Sequence, residues 1–173
     1  MDDKLEYIFK NVNEWLKFIE TKNAGVLTLS VAMIVCALQF LKGAKEYEEF
    51  VPIIIYFLLV FICTLFMSMY SLVAKMTYTL NTDKNREKYK KNCNLLFYGN
   101  LAKFTVDDLL IEMYDRYNNS TKKVGYTIYQ SDLANQIIIN SCIAVKKGAI
   151  FNFSIKFLLI NVIIGITITC FVS

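Results

Sequence analysis

The sequence predicts an all-α integral membrane protein: three transmembrane helices, an amphipathic N-terminal helix, and a helical cytoplasmic domain inserted between the second and third spans. Three observations predict it. Apolar stretches occupy residues 24–41, 51–74 and 149–171, and each reaches the roughly 18 to 25 residues that cross a ~30 Å hydrocarbon core as a helix. A polar block, 75–148, separates the second stretch from the third. Finally, 55% of the 173 residues are hydrophobic and the mean hydropathy is +0.40, more than a soluble domain of this size buries. The expected parts are a cytoplasmic helix at 1–23, a transmembrane hairpin at 24–74, a cytoplasmic helical domain at 75–148 and a third span at 149–173.

In the N-terminal segment, Leu5, Ile8, Val12, Trp15, Leu16 and Ile19 recur at helical steps, with Lys and Glu opposite. That is an amphipathic helix, suited to lie on lipid or to pack on the cytoplasmic block. Nine charges in the first 23 residues, opening on Asp2-Asp3, do not describe a cleaved secretory leader, so the first span is expected to stay as an anchor. The join Thr21-Lys22-Asn23-Ala24 leads into that span. There Gly25, Thr28, Ala32, Cys36 and Gln39 share one face, which predicts contact with protein.

The second span opens on Val51-Pro52, where a proline is tolerated, and carries Thr64, Ser68, Ser71 and Lys75 as a polar seam. The third contains Asn152, Lys156, Asn161, Thr167 and Thr169. Two readings of these stripes stand. In one they pack helices within a single subunit, with Lys156 snorkelling to the interface. In the other several copies assemble so that Thr28, Gln39, Ser68, Asn152, Lys156 and Asn161 line or gate a water path, since three helices cannot enclose one alone.

Within the polar block, Thr105 and Asp108 form a capping box, and Val106, Leu109, Leu110, Met113, Tyr114 and Tyr117 make the apolar face of a helix ending near Asn118. A second helix begins near Tyr129 to Ser131 and, with no proline in the way, runs through Gly148 into the third span. It carries Asp132, Gln136, Asn140 and Lys147 at steps of four, four and seven. Amides and a cation in a row suit a ligand rich in hydrogen-bond acceptors, and they equally suit ties to neighbouring helices.

Charge sets the expected orientation. Of 19 Lys and Arg, four precede the first span, two fall in the first hairpin, twelve lie in 75–148 and one is Lys156. Basic loops stay inside, so the N-terminus and residues 75–148 are expected in the cytoplasm, with the C-terminus outside. Twelve basic against seven acidic side chains in the block suit acidic lipid headgroups or a phosphate-rich ligand. Abundant Asn, Lys and Ile point to an AT-rich bacterial genome and hence a bacterial inner membrane, which makes the sequons at Asn118, Asn119 and Asn152 coincidental.

Enzymatic chemistry finds no support. The chain has no His, which removes the Ser-His-Asp arrangement and nearly all catalytic zinc sites. Its six glycines form no phosphate-binding loop and no nucleophile elbow. The five cysteines lack CxxC spacing and read as free thiols, so no metal or cofactor is expected.

The run Leu96-Phe97-Tyr98-Gly99-Asn100-Leu101-Ala102, the helix after Thr105, Asp132-Leu133-Ala134-Asn135-Gln136-Ile137, and then Asn140-Ser141 and Lys146-Lys147 resemble the membrane effectors of the Pycsar antiphage systems. Lys22-Asn23-Ala24 before the first span is also similar. The resemblance implies a small effector, gated by a nucleotide second messenger from a cyclase or nucleotidyltransferase encoded alongside, that permeabilises or depolarises the inner membrane. In architecture the chain is similar too to the Hailong-type channel, which implies control by a short single-stranded DNA oligomer. On this reading residues 75–148 are a sensor, the ligand meets Tyr98, Lys103, Asp132, Gln136, Asn140 and Lys147, and the chain forms a homo-oligomer, a tetramer by preference, in contact with membrane lipid. A membrane scaffold binding a cytoplasmic protein, and a constitutive pore-forming toxin, are the competing classes.

Overall fold

The computed structural model describes residues 1–43, 48–73, 93–117 and 125–172, with side chains through Cys170. Helix α1 runs Asp2–Lys42, a 3-10 turn covers Glu48–Phe50, α2 is Val51–Leu72, α3 is the single turn Tyr98–Leu101, α4 is Val106–Tyr117, and α5 is Ile128–Val172. The described residues are helical with no strand, and α1, the stretch Glu48–Leu72 and α5 are each long and apolar enough to cross a membrane.

The amphipathic helix and the first span are one helix. Nothing in Thr21-Lys22-Asn23-Ala24 removes an amide hydrogen or strains the backbone, so α1 continues through the expected join. Its Asp2 and Asp3 sit at the positive end of the helix dipole and Lys42 at the negative end. The Gly43 amide closes the last turn on the Phe40 carbonyl at 3.2 Å. Pro52 falls in the first turn of α2, where its missing amide hydrogen is not needed.

Two compact units divide the chain, and α1 and α5 contribute to both. The first contains Met1–Ile19 and Lys75–Lys146. Its core joins Leu5, Ile8 and Val12 of α1, Leu95, Leu101 and Phe104, then Leu109, Leu110 and Met113 of α4, and Ala134, Ile137, Ile138 and Cys142 of α5. The expected stripe of α1 is corrected at one position: Trp15 is 39% exposed, while Leu5, Ile8, Val12 and Ile19 are buried. Helix α4 begins where expected, with the Asp108 amide donating to Thr105 Oγ1 at 3.2 Å and the Thr105 hydroxyl donating to the Asp108 carboxylate at 2.8 Å. Buried Glu112 lies on that helix too, held by Arg116, whose guanidinium also donates to the Cys93 carbonyl at 2.6 Å.

A fully reciprocal box starts α5. The Gln130 amide donates to Thr127 Oγ1 at 3.2 Å, and the Thr127 amide to Gln130 Oε1 at 3.3 Å. Gln130 also accepts from the Tyr114 hydroxyl at 3.1 Å and donates to Asp2 at 2.7 Å, so one buried amide ties the starts of α1 and α5 to α4.

The second unit contains Glu20–Ala74 and Lys147–Ser173. Val60, Phe61 and Leu158 form its apolar cluster, with Ile34, Tyr56, Phe57, Phe157 and Val162 packed against them. Gly165 lets the Phe57 ring of α2 lie directly against the backbone of α5: a Cβ there would lie 2.0 Å from Phe57 Cζ. Buried hydroxyls turn back onto their own helices, Ser30 to Val26, Thr64 to Val60 and Ser154 to Ile150, at 2.8 to 3.0 Å. That satisfies them without a neighbour, as a dry environment demands.

Candidate ligand site and membrane path

In the first unit, Tyr98 stands at the start of the α3 turn, and its ring meets Trp15 at 5.6 Å and Phe97 at 4.9 Å between centroids. Trp15 in turn packs edge-on to Phe18 at 6.0 Å. Gly99 makes the group possible, because a Cβ at that position would come within 2.5 Å of the Phe97 ring. Asn11 donates to the Leu96 carbonyl at 2.7 Å and fixes α1 against this turn. Asn11, Glu14, Trp15 and Phe18 line a shallow, open surface groove of about 360 Å³. Aromatic faces beside an amide and a carboxylate can stack a planar base and hydrogen-bond its edge.

The expected ligand residues divide. Tyr98 belongs to this aromatic shelf, and Lys103 is exposed two residues past the end of α3. Asp132 and Gln136 are exposed on α5. Asn140 instead donates to Asn13 of α1 at 2.8 Å, and Lys147, 7% exposed, pairs with Glu20 in the second unit. The polar row thus holds two exposed residues and two that tie α5 to α1. The reason is geometric. At about 100° per residue, Asp132, Gln136, Asn140 and Lys147 keep nearly one direction. In the first unit the buried face of α5 centres on Ala134, Ile137 and Ile138, with Asn140 at its edge, whereas in the second unit Lys147 shares the direction of buried Ser154 and Leu158.

The aromatic shelf and the Gln130 junction escaped sequence reasoning. Thr127-x-x-Gln130 was a readable capping signal; Trp15 carried none, since its spacing matched the core.

Two tyrosines of this unit have raised pKa values. Tyr129 donates to Glu6 at 2.7 Å, and that hydrogen bond, ahead of desolvation and nearby acidic charge, holds its proton. For Tyr126 partial burial acts first, followed by the charges of Asp107, Tyr114 and Asp115.

In the second unit the expected path residues also divide. Ser68 is buried, with Thr64 and Ser71 on the same face of α2, and the Ser68 and Ser71 hydroxyls find no hydrogen-bond partner among the described residues; Lys75 lies outside those residues. Asn161 accepts from the Tyr56 hydroxyl at 2.6 Å and donates to the Phe157 carbonyl at 2.7 Å. Thr28, Gln39, Asn152 and Lys156 face outward, and so do Gly25, Ala32 and Cys36. A Cβ on Gly25 would meet nothing within 4 Å. Met33, Cys36, Ala37, Phe40, Ile54, Phe57, Phe61 and Val162 line an open apolar groove of about 320 Å³.

One family model, described as the Pycsar effector protein domain, matches residues 4–173. No curated protein and no solved structure shows a significant match to the chain.

Proposed function

This chain belongs to the Pycsar effector family, a family of membrane effectors of antiphage defence, and we propose that it acts there as a ligand-gated ion channel built from several copies. The observation that carries the reading is the division of polar side chains in the apolar helices. Ser30, Thr64, Ser154 and Asn161 have their hydrogen bonds inside the chain, whereas Gln39, Asn152 and Lys156 are turned outward. Polar side chains facing hydrocarbon are costly, and a second copy or a water path removes that cost. Copies meet through Gly25, Thr28, Ala32, Cys36 and Gln39 of α1, whose small side chains allow close approach, in a tetramer.

The sensor is the first unit, on the cytoplasmic side with the N-terminus, and Ser173 lies outside. Family effectors are activated by cyclic nucleotides made by an associated cyclase, which favours that ligand over a DNA oligomer. The base stacks on the shelf of Trp15 and Tyr98, and Lys103, Asp132 and Gln136 contribute to the same recognition. Because α1 and α5 run through both units, a ligand that binds one arrangement of the first unit more tightly biases the helices of the second. A near-complete switch needs about 5.5 kcal/mol of preference. Opening depolarises the inner membrane.

The test uses the full chain in liposomes, with ion flux followed after adding each of the four 3′,5′-cyclic nucleotides singly. A flux changed by one nucleotide and not the others is the expected result. Flux indifferent to all four would make the protein a constitutive pore, and no flux under any condition would favour a scaffold.

A further inference from the structure

We propose that α5 lines the ion path and that Lys156 makes it anion-selective, an inference that rests on the channel reading. Lys156 is the one charged residue in 24–41, 51–74 and 149–171, so none of these segments offers it a carboxylate. Its side chain is exposed, on the side of α5 away from buried Ser154, Leu158 and Gly165. Stepping about 100° per residue, Asn152, Lys156, Leu159, Ile163 and Thr167 fall within an arc of about 80°. All five are exposed. The stripe therefore reads polar, cationic, apolar, apolar, hydroxyl along the helix.

Lipid does not suit this face. Lys156 lies seven residues beyond the start of the apolar stretch at Ala149, about 10 Å along the axis. Its stem reaches back roughly 6 Å, short of that edge. Asn152, one turn earlier, has no long stem and, among the described residues, no side-chain hydrogen bond that would silence its amide. Water serves both residues. Arranged around a central axis, one Lys156 from each copy forms a ring of positive charge beside a low-dielectric wall, which draws small inorganic anions and repels cations. Leu159 and Ile163 then supply the apolar constriction at which such a path closes by expelling water. With the cytoplasm negative, anions leave through it, and their departure is a depolarising current.

Reversal potentials across planar bilayers with a tenfold KCl gradient test this, using the full chain with no ligand and with each of the four 3′,5′-cyclic nucleotides. Wild-type protein is expected to favour chloride over potassium. Lys156→Arg keeps that preference, Lys156→Gln lowers the permeability ratio several-fold, and Lys156→Glu inverts it. A conducting wild type that prefers potassium, or a preference unmoved in Gln and Glu variants, overturns the inference while leaving the channel standing. Absence of current in every condition overturns the channel reading itself. Should the Gln or Glu variant fail to insert, the wild-type potential still decides, because a cation preference is incompatible with a lysine ring.

Discussion

Gly165→Ala should destabilise the packing of α5 on α2, and Gly25→Ala measures what the same chemical change does without a contact. Each replacement adds one methyl group to a helix, and each gains the same intrinsic helix preference, about 0.8 to 1 kcal/mol. At Gly25 nothing lies within 4 Å of the new Cβ. At Gly165 the Cβ lands 2.0, 2.7 and 2.8 Å from three atoms of the Phe57 ring. The ring must retreat by well over an ångström. It is packed between Tyr56 at 5.5 Å and Phe61 at 6.3 Å, so it moves only by disturbing them. Overpacking of this kind costs about 1 to 3 kcal/mol, and because the helix preference cancels, that is the expected difference between the two variants. The assay is unfolding in mixed micelles at dilutions where the chain is single, followed by circular dichroism. Phe57→Leu should be less harmful in the Gly165→Ala background than in the parent. Equal stability of the two alanine variants would refute the close approach of α2 and α5.

Three further outcomes follow from the same geometry. Gly25→Leu should leave the single chain folded and shift native mass spectra in detergent from the oligomer to the monomer; an unaltered oligomer would remove this face of α1 from assembly. Gln136→Ala, at an exposed position, should abolish the response of liposome flux to the active cyclic nucleotide with stability unchanged. Trp15→Ala should abolish it too while costing about 1 kcal/mol for the lost Tyr98 and Phe18 contacts, and Asn140→Ala, which breaks the tie to Asn13, should cost about 1 kcal/mol of stability. Carbon NMR of labelled tyrosine should show Tyr129 and Tyr126 titrating above the ordinary value of 10, with Glu6→Gln lowering Tyr129 alone. Since the folded value is raised, the Tyr129 to Glu6 bond stabilises the fold below about pH 10 and is lost as pH rises through the folded value.

Much of the helix order was legible because long apolar runs and capping signals are local. The spans at 24–41 and 51–74, the start of α4 after Thr105, and the continuity of α5 past Gly148 all rest on composition or on three-residue spacing. Trp15 was misplaced for a different reason: at three residues from Val12 it satisfies helical periodicity, yet the neighbouring turn at Leu96 to Gly99 takes its ring on the outside. Tyr56 with Asn161, and Asn13 with Asn140, join residues more than a hundred positions apart, and no periodicity announces such pairs.

The inner and outer polar residues of α1 can nevertheless be separated by phase. At about 100° per residue, Asn23, Val26, Ser30 and Ala37 of the second unit fall within an arc of about 60°, and all four are buried. Gly25, Thr28, Ala32, Cys36 and Gln39 occupy an arc about 150° away, and all five are exposed. Ser30 shows why polarity alone misleads: it is as small and polar as Thr28, and both hydroxyls donate to the carbonyl four residues back, at 2.9 and 3.0 Å, yet the phase of Ser30 follows Val26 and buries it. A helix whose buried face holds one direction over about four turns has a fixed opposite face there. On α1 that face is a row of small and polar side chains with room beside it, and Gln39 at its far end brings an amide that hydrocarbon cannot satisfy. In the proposed assembly a second copy supplies both the packing surface and the hydrogen-bonding partner, which is why the channel reading places the contact between copies on this face.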